Sequence, residues 1–227
     1  MNFLSHHWVA REVGPTEPSE FFVGNVLPDL IATAGERRIR PAQVAGADLP
    51  LPRGMSLHFA TDRRFHALPE FAAARDLVKA IFADREFSEP PRRVFFLTHA
   101  FVEIALDALV LNADPGIAAD FYRKFEQSDL PALLAEVQAM HARDFLSLEL
   151  AHTIDRFVES RYLLRYALPD GQAEALHRLC RRAGLPGFPV PSDRDKLADC
   201  FDVFRTRWSA SARCLLTLSL PPPPVVQ

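Results

Sequence analysis

Apolar residues recur with helical spacing along most of this chain. No segment shows a convincing alternation of apolar and polar residues, which would indicate a half-buried β-strand. Proline and glycine interrupt the pattern at 89–93 and at 169–171, where a loop and a turn are predicted. The pattern as a whole predicts an all-α fold. The predicted helical stretches are 69–87, 94–111, 115–125, 130–150, 152–168, 172–183 and 193–218.

The stretch from 94 to 111 is unusually apolar. Its only polar side chains are Thr98, His99, Glu103 and Asp107. A helix of this composition is expected to be buried almost all round. Its length would also suit a membrane span, but three ionisable groups on one stripe favour the core helix of a soluble domain.

Histidines and carboxylates stand at strict four-residue spacing in two stretches. On an α-helix, positions i, i+4 and i+8 drift by only about 40° per step, so each set of three forms a stripe on one face. Imidazole and carboxylate together are the ligands of zinc, manganese and iron sites. The two stripes are His58, Asp62 and His66, and His99, Glu103 and Asp107.

Burial means that the carboxylates of these stripes need a partner. A buried carboxylate without compensation is costly, so it needs a cation or hydrogen-bond donors. A divalent ion (Mn, Mg, Zn or Fe) meets that need, and ion pairs with arginine or simple core histidines are the alternative. Positions i and i+8 lie about 12 Å apart along the axis, too far for one ion. One ion therefore takes neighbouring pairs, or two ions use more of the set.

The amino-terminal segment adds candidates. His6 and His7 are adjacent, and on a helix they point about 100° apart, so at most one faces such a site. Asn25 and Asp29 lie in an otherwise apolar segment, where Asp29 is either a metal ligand or a helix N-cap. Beside the other candidates, the ligand interpretation is favoured. We expect both stripes to converge in one pocket on facing helices, with Asp29 and one of the two histidines at its edge.

Composition sets the outer bounds. With 227 residues, 48% of them hydrophobic, the chain is expected to form one domain at 1–220 and a proline-rich tail at 221–227. A net charge of −3 provides no field that would recruit nucleic acid. The three cysteines lack C-x-x-C spacing and the first residues lack a secretory pattern, so we expect a cytoplasmic protein without disulfides.

The arginine-bearing segment 35–54 is predicted to be an irregular lid or binding loop.

Several of these segments resemble one known family, the acyl carrier protein phosphodiesterases and their uncharacterised bacterial relatives. The matching segments are MNFLSHHWVA at 1–10, GNVLPDL at 24–30, HFATDRRFHALPEF at 58–71 and VEIALDALVL at 102–111. The resemblance implies an all-helical, HD-domain-like phosphohydrolase that depends on one or two divalent metal ions. It implies metal-site roles at His6, Asp29, His58, Asp62 and Asp107, with Glu103 where the enzymes have an aspartate.

The chain departs from the family at Ala108, where the enzymes have a histidine, and at His66, where they have an acidic residue. His99 supplies an imidazole one turn before Glu103 instead. The expected function is hydrolysis of a phosphate ester, with acyl carrier protein as a partner and no nucleic acid or membrane partner. Catalytic roles are predicted for Asp29, His58, Asp62 and Asp107. A di-iron oxygenase and a non-catalytic metal-binding relative are the alternatives.

Overall fold

The fold is all-helical, as the sequence predicts. The computed structural model describes residues 1–141 and 147–221, without the side chains of residues 209 and 210. Helices make up 77% of the described residues, and that part of the chain contains no strand. The α-helices are α1 (Phe3–Val13), α2 (Ser19–Gly24), α3 (Leu27–Thr33), α4 (Pro41–Val44), α5 (Pro50–Ala67), α6 (Pro69–Ala83), α7 (Val94–Ala113), α8 (Ile117–Gln127), α9 (Leu130–Met140), α10 (Ser147–Ser160), α11 (Pro169–Arg182) and α12 (Pro191–Ser219). A 3-10 helix, Tyr162–Ala167, lies between α10 and α11.

Of two predictions of irregular structure, the one for 169–171 is wrong and the one for 35–54 is wrong in part. Residues 169–171 are the first turn of α11, because Pro169 occupies a starting position where its missing N–H costs nothing. The segment 35–54 contains α4 and the beginning of α5, and both of these helices also start at a proline. Proline therefore begins helices in this chain at places where its turn-forming tendency suggested loops.

Two other predictions fall partly outside the described residues. The helix expected over 130–150 is α9 up to Met140 and α10 from Ser147, and residues 142–146 are not described. Of the proline-rich tail at 221–227, residues 222–227 are likewise outside the described part.

The chain divides into two compact units, each built from separate stretches of sequence. The first unit comprises Met1–Ser5, Phe65–Pro115 and Leu163–Ser219. The second consists mainly of His6–Arg64 and Gly116–Tyr162.

In the first unit, α6, α7, α11 and α12 pack on one another around aromatic side chains. Phe101 of α7 stacks on Phe201 of α12 with ring centroids 3.7 Å apart. Phe204 and Phe82 meet the Phe101 ring edge-on, at 5.3 and 5.6 Å. Contact on several sides explains why α7 can be apolar almost all round.

In the second unit, α2 packs on α8, and α10 packs on α3 and α9. Phe121 of α8 is at the centre of an aromatic group, with centroid distances of 5.2 Å to Tyr122 and 5.7 Å to Phe157. Large apolar rings thus supply the core of this unit as well.

Helix α7 is long and apolar enough to cross a membrane by length and composition alone, and 67% of its most apolar window is buried. The core helix of a soluble protein has the same properties.

The three cysteines are free: Cys180 and Cys200 are buried, and Cys214 is exposed. Burial raises the pKa of the Cys180 and Cys200 thiols to about 11.

Candidate metal centres

The structure gathers all of the predicted site residues except Asp107 into two clusters, each within one unit. In the second unit, His6 of α1, Asp29 of α3 and His58 of α5 bring one potential ligand atom each to within 4.8 Å of the others. Asp62 is close to His6, and we call these four residues the His58 cluster. In the first unit, His66, His99 and Glu103 meet the same distance criterion and are called the His99 cluster. Convergence of both stripes in one pocket stays a prediction.

Two glycines allow the backbone to assemble the His58 cluster. A Cβ on Gly24 would collide with the carbonyl oxygen of Leu51, and one on Gly54 with that of Phe21. Helices α2 and α5 can therefore approach each other this closely only because both positions are glycine. This approach places Asn25, the residue after α2, beside α5 and α1.

Asn25 holds both imidazole-bearing helices. Its side-chain amide donates a hydrogen bond to the carbonyl oxygen of His6 at 2.6 Å. Its own backbone oxygen lies 2.9 Å from Nδ1 of His58. Asn25 is an isolated polar residue in an apolar segment, and the sequence pattern predicted no role for it. That isolated polarity was the available signal.

The bond to Asn25 determines which nitrogen of His58 can bind a ligand. A carbonyl oxygen can only accept, so Nδ1 must carry the hydrogen. In the neutral ring, Nε2 then has a lone pair and no hydrogen. Fixing the tautomer through the other ring nitrogen is how proteins orient metal-binding histidines.

The two imidazoles form the buried floor of the His58 cluster. The side chains of His6 and His58 are 0% and 6% exposed, and their rings stack with centroids 4.1 Å apart. The carboxylates of Asp29 and Asp62 are 38% and 35% exposed. Solvent therefore reaches the cluster from the carboxylate side.

Interatomic distances in the cluster fit a bound ion. Nε2 of His58 lies 3.9 Å from Oδ1 of Asp29, and Nε2 of His6 lies 3.9 Å from Oδ1 of Asp62. Both separations are too long for a hydrogen bond. Each is short enough for one ion to contact both atoms at about 2.0–2.2 Å. The donor set of imidazole nitrogen and carboxylate oxygen suits Zn, Mn or Fe.

Asp29 is not the N-cap of its helix. It lies inside the first turn of α3, whose N-cap residue is Val26. The cap alternative for Asp29 is therefore wrong, and its Oδ1 lies 3.9 Å from Nε2 of His58.

His7 takes no part in the cluster. Its Nε2 lies 2.8 Å from Oδ2 of Asp120 on α8, and its ring packs against Phe22 and Phe121. Burial lowers the pKa of His7. The hydrogen bond from His7 lowers the pKa of Asp120 to about 2, although partial burial opposes this. Of the two adjacent histidines, His6 is the site residue.

The His99 cluster has a different geometry. Nε2 of His66 and Nε2 of His99 each lie 3.1 Å from the same oxygen, Oε1 of Glu103. The two rings stack with centroids 4.6 Å apart. The amino group of Met1 lies 2.9 Å from that same oxygen. Burial alone would raise the pKa of Glu103, but the Met1 ammonium and the two histidines outweigh it and hold this pKa well below its usual range.

Asp107 caps a helix. It is fully buried, and its carboxylate accepts the backbone N–H groups of Leu4 at 3.0 Å and Ser5 at 2.8 Å, and the Ser5 hydroxyl at 2.6 Å. These amides lie in the first turn of α1, where no intrahelical acceptor exists. Asp107 belongs to neither cluster of described residues. The metal and catalytic roles predicted for it have no support in these contacts.

Three of the four arginines in the segment 35–54 line a separate cavity. Its volume is about 310 Å³, and Arg37, Arg38, Arg40, Gln43 and His141 are among its lining residues. No residue of either cluster lines it.

Comparison with known proteins adds no identification. No protein-family model, no curated protein and no solved structure matches this chain.

Proposed function

We propose that the protein is a metal-dependent hydrolase of phosphate esters and that the His58 cluster is its active site. The observation that carries the proposal is the hydrogen bond from His58 Nδ1 to the Asn25 carbonyl. It leaves Nε2 available beside the imidazole of His6 and the carboxylate of Asp29. The resemblance to the acyl carrier protein phosphodiesterases, with their HD-domain-like fold, supports the same conclusion.

Four residues would hold the ion: His6, Asp29, His58 and Asp62. When bound, a divalent ion lowers the pKa of water and neutralises charge on phosphate oxygens. The buried imidazoles keep the floor of the site in a fixed position, because His58 is held by Asn25 and stacked on His6. The half-exposed carboxylates stand where a substrate enters.

The same carboxylates can also move a proton. In hydrolysis the attacking water must lose a proton, and a carboxylate within reach is a suitable acceptor. Asp29 and Asp62 are both candidates, because each side chain is partly open to solvent and each carboxylate stands 3.9 Å from an imidazole nitrogen. The carboxylate oxygen that accepts the proton must be one that does not hold the ion.

A metal-reconstitution assay tests this proposal. The protein is stripped with a chelator, reloaded separately with Mn²⁺, Mg²⁺, Zn²⁺ and Fe²⁺, and assayed on bis(p-nitrophenyl) phosphate, p-nitrophenyl phosphate and holo acyl carrier protein. We expect at least one ion to restore hydrolysis and His58→Ala to abolish it. The matched control is His152→Ala, which removes an exposed histidine of α10 that lies in neither cluster.

Two results would contradict the proposal. The first is a folded wild-type protein that hydrolyses none of these esters with any ion, which would favour the non-catalytic metal-binding alternative. The second is a His58→Ala protein with unchanged helical circular dichroism, bound metal and turnover. Circular dichroism separates either result from unfolding.

A further inference from the structure

The His99 cluster has the geometry of a second ion-binding site. His99 and Glu103 lie one turn apart on α7, so their side chains project from the same face. His66 reaches the same carboxylate oxygen from α5. Two imidazole nitrogens and one carboxylate oxygen thus converge from two helices on one point.

Distances within the cluster match those between ligands of one tetrahedral ion. Ligand atoms about 2.0–2.2 Å from zinc at tetrahedral angles stand roughly 3.3 Å from one another. The two nitrogen-to-oxygen separations here are 3.1 Å each. An ion among these atoms would replace the hydrogen bonds that Oε1 of Glu103 accepts here, including that of the Met1 amino group.

Aromatic rings support the imidazoles from outside. Phe71 of α6 contacts the ring of His66 with centroids 4.9 Å apart and that of His99 at 5.1 Å. Phe65 contacts His66 at 5.0 Å. An apolar shell of this kind limits water and restricts the orientation of ligating side chains.

The cluster remains open enough for an ion to enter. The side chains of His66, His99 and Glu103 are 26%, 32% and 18% exposed. A site of three protein ligands with access to solvent is also the arrangement in which zinc keeps one coordination position free.

We propose that the His99 cluster binds a divalent transition-metal ion, with Nε2 of His66, Nε2 of His99 and a carboxylate oxygen of Glu103 as ligands. Two of the three donors are imidazole nitrogens, which favour Zn²⁺ and its neighbours in the first transition series over Mg²⁺ and Ca²⁺. The proposal is independent of the hydrolysis assigned to the His58 cluster. Its competitor is a cluster held only by hydrogen bonds and an ion pair, with Glu103 accepting from both rings and from the Met1 ammonium.

Zinc titration of four variants decides between these explanations. Stoichiometry is measured by equilibrium dialysis for His66→Asn, His99→Gln, His58→Ala and the control His152→Gln, beside the wild type. We expect one Zn²⁺ equivalent that survives His58→Ala and His152→Gln. His66→Asn and His99→Gln each remove one of the three ligands, so each should lower the Zn²⁺ affinity of this site by at least about 100-fold. Mutation of residues that only support the ligands already lowers metal affinity by about 10–100-fold. Mg²⁺ in excess should not displace it.

A second readout identifies the coordinating rings directly. In ¹H–¹⁵N spectra of the histidine side chains, Zn²⁺ should shift Nε2 of both His66 and His99 at the same stoichiometric point. Circular dichroism of each variant confirms that the helices survive.

The proposal fails if no Zn²⁺ equivalent depends on His66 or His99 in folded protein, in which case the cluster is held by hydrogen bonds and an ion pair only. If the sole equivalent bound depends on His58, the second site is wrong while the first stands. If the sole equivalent depends on His66 and His99, the site at the His99 cluster stands and ion binding at the His58 cluster is wrong.

Discussion

The two clusters contain the same chemical groups but differ in the hydrogen-bond partners of their imidazoles. Both have a pair of stacked imidazoles and at least one carboxylate. In the His58 cluster the carboxylates stand 3.9 Å from the imidazole nitrogens, and His58 is held from behind by a backbone carbonyl. In the His99 cluster the carboxylate lies within hydrogen-bond distance of both rings.

This difference indicates how each cluster would respond to losing its ion. An imidazole fixed through Nδ1 keeps Nε2 available whether or not an ion is present. Imidazoles that can donate to a carboxylate must give up those hydrogen bonds and their protons when an ion binds. We therefore expect the His58 cluster to be the more preorganised of the two, and to carry the chemistry.

The largest expected effect is on the rate of ester hydrolysis, which should depend on one cluster and not on the other. In metal-dependent ester hydrolysis, His58→Ala should lower turnover by at least about 1000-fold, or about 4 kcal/mol, because it removes a ligand of the reacting centre. His99→Gln should change the rate by less than about 3-fold, since its cluster is not the reacting one. Steady-state kinetics at saturating metal measure both. A larger loss in His99→Gln than in His58→Ala would reverse the comparison.

A second test concerns Asp107, the carboxylate that lies one turn after Glu103 on α7. Asp107→Ala should destabilise the protein by about 3 kcal/mol, because it leaves two buried backbone N–H groups and a hydroxyl without an acceptor. Urea unfolding measures the change. The control is Asp155→Ala, an exposed carboxylate on α10 for which a change within about 0.5 kcal/mol is expected.

A stable Asp107→Ala protein that has lost a Zn²⁺ equivalent would contradict this interpretation. That result would return Asp107 to the set of metal ligands that the sequence predicted.

A third test sharpens the comparison at Asn25. Asn25→Ala removes the hydrogen bond to the His6 carbonyl and should weaken ion binding at the His58 cluster by about 10–100-fold, with the His99 cluster unaffected. Gln43→Ala is the matched control, because Gln43 donates the same kind of bond to the carbonyl of Met140 but is exposed. Equal affinity in the two variants would show that Asn25 does not orient the site.

The smallest expected effect is a pH dependence. Burial raises the pKa of Asp107 to about 7, although the bonds from Ser5 and Leu4 oppose the shift. The native state then binds more protons than the unfolded state between about pH 4 and 7, so this contribution to stability is full below that window and is lost as pH rises through 7. Relative to Asp107→Asn, the wild type should lose on the order of 1–2 kcal/mol from pH 6 to 8. Denaturant unfolding at each pH measures the difference, and a difference that grows in favour of the wild type would contradict the assignment.

Much of the helical fold could be predicted from the sequence. The apolar run at 94–111 is the core of α7, which extends from Val94 to Ala113. The turn expected at 169–171 was wrong because proline both ends and begins helices, and local composition does not tell the two apart.

The candidate site was predictable in its residue types and only partly in its grouping. Four-residue spacing placed His58, Asp62 and His66 on one face of α5, yet His58 and His66 belong to different clusters. Helical periodicity reports which residues share a face. It does not report which partners another helix brings to each turn of that face.

What the sequence determined by itself is therefore the all-helical class, the buried character of α7 and the supply of imidazoles and carboxylates. These follow from local periodicity and from the cost of burying charge, which act within a segment. The tertiary structure decided that His6 rather than His7 joins Asp29 and His58, that Asn25 sets the tautomer of His58 and that Asp107 caps α1. Each of these depends on contacts between residues distant in sequence, and at the His58 cluster the close backbone approaches at Gly24 and Gly54 bring the helices together.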